Sequence, residues 1–150
     1  MLVSAILLAA GRSKRMGQIK QLMPFGRSTI LEEALNNLLS SAVSEVILVL
    51  GYRAEEVRRT IVAKPAKLVI NPYYRRGMST SVIAGLNQVD TQAQAVMLAL
   101  GDQPLIDSNT INRLIEEFYS HDKGITIPTY RGRRGHPIIF DIKYKQKLLG

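Results

Sequence analysis

The sequence contains neither cysteine nor tryptophan among its 150 residues. The absence of cysteine excludes disulfide bridges, thiolate metal sites and a cysteine nucleophile. Only 6% of the residues are aromatic and 21% are charged, whereas 46% are hydrophobic. This composition indicates a globular protein with a sizeable core rather than a disordered chain, and we expect residues 1–150 to form a single domain.

Long apolar runs are also missing. No stretch approaches the roughly 18 apolar residues that a membrane-spanning helix needs. The segment Met1–Ala10 is apolar from its start and has no basic leading region, which is not typical of a signal peptide. We therefore expect a cytoplasmic protein without a membrane partner.

Acidic residues are absent from the first 27 positions, which carry five basic ones, and the whole chain has a formal net charge of +8. A basic balance favours an anionic partner, either nucleic acid or a phosphate-bearing small molecule. A solvated basic surface accounts for the same composition. The basic residues cluster in loops rather than along one helix, and no RNA-binding or helix-turn-helix signal is present, so we expect no nucleic-acid partner.

Short apolar runs alternate with helical patterns along the chain. The predicted strands cover residues 2–9, 46–50, 68–70, 95–100, 125–127 and 137–140, and the predicted helices cover 30–40, 54–62, 79–89 and 109–119. The longest runs are almost continuously apolar, which is typical of parallel strands covered on both faces. The alternation predicts an α/β fold with a mainly parallel sheet. Residues 130–135 are predicted to form a turn-rich hairpin that leads into an edge strand at 137–140.

Ligands bind at the carboxyl ends of the strands in open parallel sheets. The first predicted strand ends in the small residues Ala9, Ala10 and Gly11, which are followed by Arg15 and Lys20. Small residues let a flat base approach the backbone, and the N–H groups of a glycine-containing turn can hold an anion. Neither a P-loop nor a Gly-x-Gly-x-x-Gly motif is present. A basic loop without a ligand stays open as the alternative.

Three further segments contain groups that could take part in chemistry. Asp102 follows a predicted strand and could hold Mg²⁺ together with substrate phosphates, or it could begin a turn into the next helix. Ser79 and Ser81 lie at a predicted helix start, where they could contact an anion or cap the helix. His136 is one of two histidines, and no second ligand lies near it at metal-binding spacing.

These segments occur together in one known family. The chain contains, in order, Leu8-Ala9-Ala10-Gly11-x-Ser13-x-Arg15-Met16-Gly17-x-x-Lys20, Gly77-Met78-Ser79-x-Ser81, Gly101-Asp102-Gln103-Pro104 and Gly135-His136-Pro137. Their order and spacing resemble, over essentially the whole chain, the nucleotidyltransferases of molybdenum cofactor maturation. The resemblance implies a three-layer, Rossmann-like nucleotidyltransferase fold with a mainly parallel sheet.

The resemblance also implies a role for each matching residue. The implied catalytic residues are Arg15, Lys20 and Asp102, of which the first two hold the triphosphate and Asp102 binds Mg²⁺. The implied nucleotide contacts are Leu8, Ala9, Ala10, Gly11, Lys20, Asn71, Ser79 and Ser81. His136 is implied to contact the pterin substrate.

Ala10 bears on the choice of nucleotide. Within the family, Leu-Ala-Ala-Gly is typical of the cytidylyl branch and Leu-Ala-Gly-Gly of the guanylyl branch. The resemblance therefore favours Mg²⁺-dependent transfer of CMP from CTP to the phosphate of molybdopterin, or of its molybdenum-loaded form, with a molybdenum hydroxylase as a candidate acceptor of the product. The alternatives are a GTP-dependent enzyme, a cytidylyltransferase for another phosphate substrate, and a non-catalytic pterin carrier.

The resemblance also bears on the end of the chain. The family continues beyond the position of Gly150 and places a second acidic residue for the metal there. We therefore expect a chain truncated at its C-terminus that binds nucleotide weakly and turns over slowly. We also expect apolar surface near Ile138, Ile139 and Phe140 to promote association.

Overall fold

The computed structural model describes residues 2–11, 19–61 and 63–150. The strands are β1 (Val3–Ala9), β2 (Pro24–Phe25), β3 (Ser28–Thr29), β4 (Glu45–Leu50), β5 (Lys67–Ile70), β6 (Ala95–Leu100), β7 (Ile125–Thr126), β8 (Thr129–Tyr130), β9 (Arg133–Arg134) and β10 (Ile138–Asp141). The α-helices are α1 (Ile30–Leu39), α2 (Ala54–Ile61), α3 (Met78–Leu86), α4 (Ser108–Tyr119) and α5 (Lys145–Leu149). Short 3₁₀ helices cover Lys20–Leu22, Tyr74–Arg76 and Ile142–Tyr144.

Six strands form the central sheet in the order β5-β4-β1-β6-β10-β7. β1 pairs in parallel with β4 on one side and β6 on the other, and β5 continues the parallel part. β10 is antiparallel to both of its neighbours. The mainly parallel sheet predicted from the sequence is confirmed.

The two faces of the sheet are covered by different helices. All seven residues of β1 are buried, and successive side chains point to opposite faces of a strand. Leu7 packs in the cluster that contains residues of α1, α2 and α4, whereas Ile6 packs in the cluster on the side of α3 and α5. The result is the three-layer arrangement that the resemblance implied.

The helices α1 and α4 begin at side chains that cap them. The Thr29 hydroxyl accepts a hydrogen bond from the Glu32 N–H at 3.1 Å, and the Asp107 carboxylate accepts one from the Thr110 N–H at 2.9 Å. Both side chains satisfy a backbone donor that the first helical turn leaves free. Among the described residues, no helix is long and apolar enough to cross a membrane.

Several boundaries differ from the predicted ones. α3 begins one residue earlier than predicted, at Met78, and ends at Leu86 rather than at residue 89. The predicted end of α2 at Val62 lies outside the described residues. β7 ends at Thr126 rather than at Ile127, because Pro128 has no N–H with which to extend the ladder.

The predicted edge position of the strand at 137–140 is wrong. β10 lies between β6 and β7, and Ile139 and Phe140 are 0% and 4% exposed. The short strand β7 takes the outer position instead because its residues pair with Ile139 and Phe140. The expectation of exposed apolar surface at these two residues is therefore wrong as well.

The hairpin predicted at 130–135 is present. β8 pairs with β9, and the two residues between the strands, Arg131 and Gly132, have φ angles of 52° and 79°. Two positive φ angles in a two-residue loop match the right-handed twist of the flanking strands. The hairpin precedes His136 directly and carries three arginines at positions 131–134.

A partly buried hydrogen-bond network around Glu45 joins the amino ends of β1, β4 and β5. Glu45 accepts hydrogen bonds from the Ser4 hydroxyl and, at 2.8 Å, from the Asp90 N–H, and its carboxylate lies 2.8 Å from Lys67 Nζ. Burial raises the pKa of Glu45, but the hydrogen bonds from Lys67, Ser4 and Asp90 outweigh burial and hold the pKa below its usual value of 4.5. Glu45 therefore stabilises the fold in its charged form.

We expect Glu45→Gln to lower the free energy of unfolding at pH 7 by about 1–3 kcal/mol, the range for hydrogen bonds to a charged group. Because the pKa of Glu45 is depressed in the folded state, its contribution is present above about pH 4.5 and is lost as the pH falls further. Urea unfolding should show that the difference in the free energy of unfolding between the unmodified chain and the variant is smaller at pH 3 than at pH 7. The exposed Glu55→Gln is the matched control, and an equal deficit of Glu45→Gln at both pH values would contradict this assignment.

Candidate active site

A cleft of about 500 Å³ opens at the carboxyl ends of β1 and β6. This is the edge of the sheet where the sequence predicted the ligand. The residues that line it are Leu8, Ala9, Ala10, Gly11, Lys20, Gln21, Tyr74, Gly77, Met78, Ser81, Leu100, Gly101 and Asp102. Seven predicted site residues are among them: Leu8, Ala9, Ala10, Gly11, Lys20, Ser81 and Asp102.

Residues 8–11, at the end of β1, form the floor of the cleft. Their backbone is held from both sides, because the Gly101 N–H donates to Leu8 O at 2.9 Å and the Tyr52 N–H donates to Ala10 O at 3.0 Å. A Cβ atom at Gly101 would lie 3.0 Å from the Ala9 Cβ, and one at Gly51 would lie 2.9 Å from the Ala10 Cβ. Small residues are therefore required where the three strand ends meet.

Gln21 is a site residue that the sequence reasoning missed. Its Nε2 donates to Ala9 O and to Gly11 O, each at 3.2 Å. Gln21 is 8% exposed, and its Oε1 has no hydrogen-bond donor among the described residues. The side chain thus ties the turn after β1 to the 3₁₀ helix at Lys20–Leu22, a contact that nothing in the local pattern predicts.

The charged side of the cleft contains one ion pair. Lys20 Nζ lies 3.6 Å from Asp102 Oδ2, and the two side chains are 43% and 49% exposed. Such an exposed pair contributes little to stability, so both groups can turn to a ligand at small cost. The structure thus brings together two of the three implied catalytic residues, whereas Arg15 lies outside the described residues.

The donor set suits a hard cation that is held mainly by its ligand. Within the described ranges, no group of three His, Cys, Asp or Glu side chains could hold a metal ion by itself. Among the described residues that line the cleft, Asp102 is the one that offers a carboxylate. Mg²⁺ is commonly bound by one or two carboxylates together with substrate phosphates and water, and Asp102 fits that mode.

On the side of α3, the described residues that line the cleft carry no charge. They are Tyr74, Gly77, Met78 and Ser81, which lie at the start of α3 and just before it. Gly77 has a φ angle of 114°, a backbone conformation that other residues rarely adopt. This glycine allows the chain to turn from the 3₁₀ helix at Tyr74–Arg76 into α3.

Three predicted site residues do not line the cleft. Ser79 is exposed on α3. Asn71 is 2% exposed and lies behind the cleft, where its amide contacts Ser81. His136 is partly buried; burial lowers its pKa, and the charge of Asp102 raises it by a smaller amount. His136 is not among the residues that line the cleft.

The comparisons with known proteins agree on one family. The family profile described as "MobA-like NTP transferase domain" matches residues 5–150. The chain is 35% identical over 138 residues to the molybdenum cofactor cytidylyltransferase of Escherichia coli K12, with 91% of this chain and 69% of that protein covered. It is 34% identical over 148 residues to the nicotine blue oxidoreductase of Paenarthrobacter nicotinovorans, with 93% and 71% covered.

The chain is also similar to a third relative and to the crystal structures of another protein. The chain is 30% identical over 152 residues to a probable molybdenum cofactor guanylyltransferase of Methanosarcina mazei, with 97% of this chain and 65% of that protein covered. A crystal structure of a Mycobacterium tuberculosis H37Rv protein superimposes with a TM-score of 0.89 at 30% identity, covering 99% of this chain and 75% of that one. A manganese complex of that protein gives a TM-score of 0.85 at 27% identity, with 99% and 76% covered.

We expect Gln21→Met to lower the free energy of unfolding by about 1–3 kcal/mol, because a side chain of similar size would leave two carbonyl acceptors without their donor. The exposed Gln88→Met is the matched control and should change stability by less than about 0.5 kcal/mol. Urea unfolding of both variants measures the difference. If the two variants are equally stable, the Gln21 amide does not hold the loop after β1.

Proposed function

The chain belongs to the MobA-like NTP transferase family, and we propose that it transfers CMP from CTP to the terminal phosphate of molybdopterin or of its molybdenum-loaded form. The family expected from the sequence motifs is thereby confirmed. The observation that carries the proposal is the division of the cleft into a neutral side at Ser81 and a charged side at Lys20 and Asp102. A nucleoside triphosphate has the same division into a neutral base and a charged tail.

The floor of the cleft supports the placement of the nucleoside. Ala9, Ala10 and Gly11 present little side-chain bulk, so a planar base and a ribose can approach the backbone closely. Tyr74 and Met78 offer apolar surface beside this floor. The triphosphate then extends toward Lys20 and Asp102, where charge is available to meet it.

In the proposed reaction, an oxygen of the substrate's terminal phosphate attacks the α-phosphorus of CTP. A new P–O bond forms, the bond between the α-phosphorus and the bridging oxygen breaks, and pyrophosphate leaves. Such a transfer needs positioning and charge stabilisation more than a covalent group from the protein. Lys20 stabilises the negative charge on the phosphates, and Arg15 is proposed to do the same.

A divalent ion, proposed to be Mg²⁺, neutralises phosphate charge when it is bound. Asp102 is the residue proposed to hold it. We propose that His136 contacts the pterin when the second substrate reaches the charged end of the cleft. The molybdenum hydroxylase remains the proposed acceptor of the product.

The choice of CTP rests on Ala10. Ala10 is 3% exposed, packs in the cluster on the side of α3 and lines the cleft, and we propose that its methyl group narrows the floor compared with a glycine. A narrower floor favours a pyrimidine over a purine. Relatives named for cytidylyl transfer and for guanylyl transfer both match this chain, so GTP is the alternative nucleotide.

A redox activity is the second candidate function, and the name of one relative supports it. The nicotine blue oxidoreductase is about as similar to this chain as the cytidylyltransferase, so this family includes a protein named for redox chemistry. Release of pyrophosphate from CTP would favour the transferase. Stabilisation by a nicotinamide dinucleotide, without stabilisation by any triphosphate, would favour the redox alternative.

We expect CTP with Mg²⁺ to raise the melting temperature more than GTP, ATP or UTP does. A ligand at about 100 times its dissociation constant stabilises a protein by roughly 2.7 kcal/mol. Ala10→Gly should reduce the difference between CTP and GTP, because it widens the floor. A larger shift with GTP for the unmodified chain would replace the cytidylyl assignment by the guanylyl one.

We expect Lys20→Ala to weaken CTP binding by about tenfold, the equivalent of roughly 1.4 kcal/mol, and to leave cytidine binding unchanged. The reason is that its proposed partner is phosphate. Asp102→Asn should remove the part of CTP binding that depends on Mg²⁺, as measured by calorimetry. Lys123→Ala is the control, because Lys123 precedes β7 at the opposite end of the sheet. If Lys20→Ala weakens cytidine and CTP equally, the phosphate role of Lys20 is wrong.

A further inference from the structure

We propose that Asn71 does not contact the nucleotide but is a positioning residue that turns the Ser81 hydroxyl into a hydrogen-bond donor toward the base. The inference rests on the proposed function, since it assumes that a nucleobase lies on the neutral side of the cleft. It assigns to Asn71 a different role from the direct contact that the sequence resemblance implied.

The orientation of the Asn71 amide is fixed by three hydrogen bonds. Its Oδ1 accepts from the Tyr73 N–H at 2.9 Å. Its Nδ2 lies 2.9 Å from Thr80 Oγ1 and 2.9 Å from Ser81 Oγ. A backbone N–H can only donate, so the oxygen of the amide must face Tyr73 and the NH₂ group must face the two hydroxyls.

This orientation decides what each hydroxyl can do. Both hydroxyl oxygens accept a proton from Asn71 Nδ2, so each must direct its own proton elsewhere. Thr80 Oγ1 donates to the backbone, with Gly77 O at 2.7 Å and Tyr73 O at 3.0 Å. Ser81 has no acceptor for its proton among the described residues, and it lines the cleft.

The Ser81 hydroxyl is therefore a buried donor whose proton is available to a ligand. It is 4% exposed, and a ligand that fills the cleft would displace the water that can reach its hydroxyl. A buried donor without an acceptor is costly, so the bound group must present a lone pair at this place. Leu8, Ala10 and Met78 line the same cleft with apolar surface, which suits a carbonyl oxygen or an unprotonated ring nitrogen of a base better than a phosphate.

The helix offers its own controls for this inference. Ser79 carries the same hydroxyl one position before Thr80, but it is exposed and does not line the cleft. Thr80 is held by the same amide as Ser81, but its proton goes to the backbone. Changes at Ser79 and Thr80 should therefore leave nucleotide affinity unaltered.

The experiment is a double-mutant cycle on nucleotide affinity. Calorimetry with Mg²⁺ and the triphosphate that stabilises the unmodified chain most would be applied to Ser81→Ala, Asn71→Asp and the double variant. An aspartate at position 71 can only accept, so it would draw the Ser81 proton away from the cleft. We expect each single change to raise the dissociation constant by about tenfold or more, and the double variant to bind no more weakly than Ser81→Ala.

Each outcome decides the inference. If the two effects multiply in the double variant, Asn71 contacts the nucleotide by itself and the positioning role is wrong. If Ser81→Ala binds as the unmodified chain does, Ser81 donates nothing to the ligand and the inference is overturned. If Asn71→Asp does not fold, the affinities of Ser81→Ala and Thr80→Val are compared instead. Each of these changes removes one partner of Asn71 Nδ2, but only Ser81→Ala should lower nucleotide affinity. Ser79→Ala should bind within about twofold of the unmodified chain.

Failure of the proposed function gives a different result. If the unmodified chain binds none of the four triphosphates, the nucleotide assignment falls and the inference falls with it. If it binds one of them but the cycle is additive, only the positioning role is overturned. Melting temperatures of all variants, measured without ligand, separate a loss of affinity from a loss of fold.

Discussion

The pairing of β1 with strands on both sides is the constraint on which the site depends. β1 is buried along its whole length and forms parallel ladders with β4 and β6. Parallel strands end at the same edge of a sheet, so the loops after these three strands meet in one place. The hydrogen bonds from Gly101 to Leu8 and from Tyr52 to Ala10 continue that alignment just beyond the strands. The floor of the cleft is thus an extension of the core.

The charged residues of the cleft, unlike its floor, are not part of the core. Lys20 and Asp102 are each about half exposed and face one another across 3.6 Å. An ion pair that is exposed to water in this way contributes only about 0–1 kcal/mol to the free energy of unfolding. The protein therefore keeps a cation and an anion at the mouth of the cleft without depending on either for its fold. Both are available to a ligand that carries its own negative charge and a metal ion.

Two buried amides connect the rigid floor to the residues that face the ligand. Gln21 bonds to the carbonyls on either side of Ala10, and Asn71 bonds to the hydroxyls at the start of α3. An amide combines donors and an acceptor in one planar group, so it can fix the orientation of several neighbours at once. Neither residue carries a charge, and among the described residues that line the cleft the charged ones are Lys20 and Asp102.

The sequence by itself determined the parts of this protein that depend on neighbouring residues. Continuous apolar runs predicted the parallel strands, the helical patterns predicted α1 and α4, and the position of Asp102 after a predicted strand indicated that it lies at the ligand-binding edge of the sheet. The tertiary structure alone decided what depends on distant contacts. It placed β10 inside the sheet because β7 pairs with it. It also buried Gln21 and Asn71, whose side-chain amides donate to residues nine to twelve positions away in the sequence. It also separated Ser79 from Ser81: the two residues point about 200° apart around a helix, and only the packing of α3 on the sheet determines which of them faces the cleft.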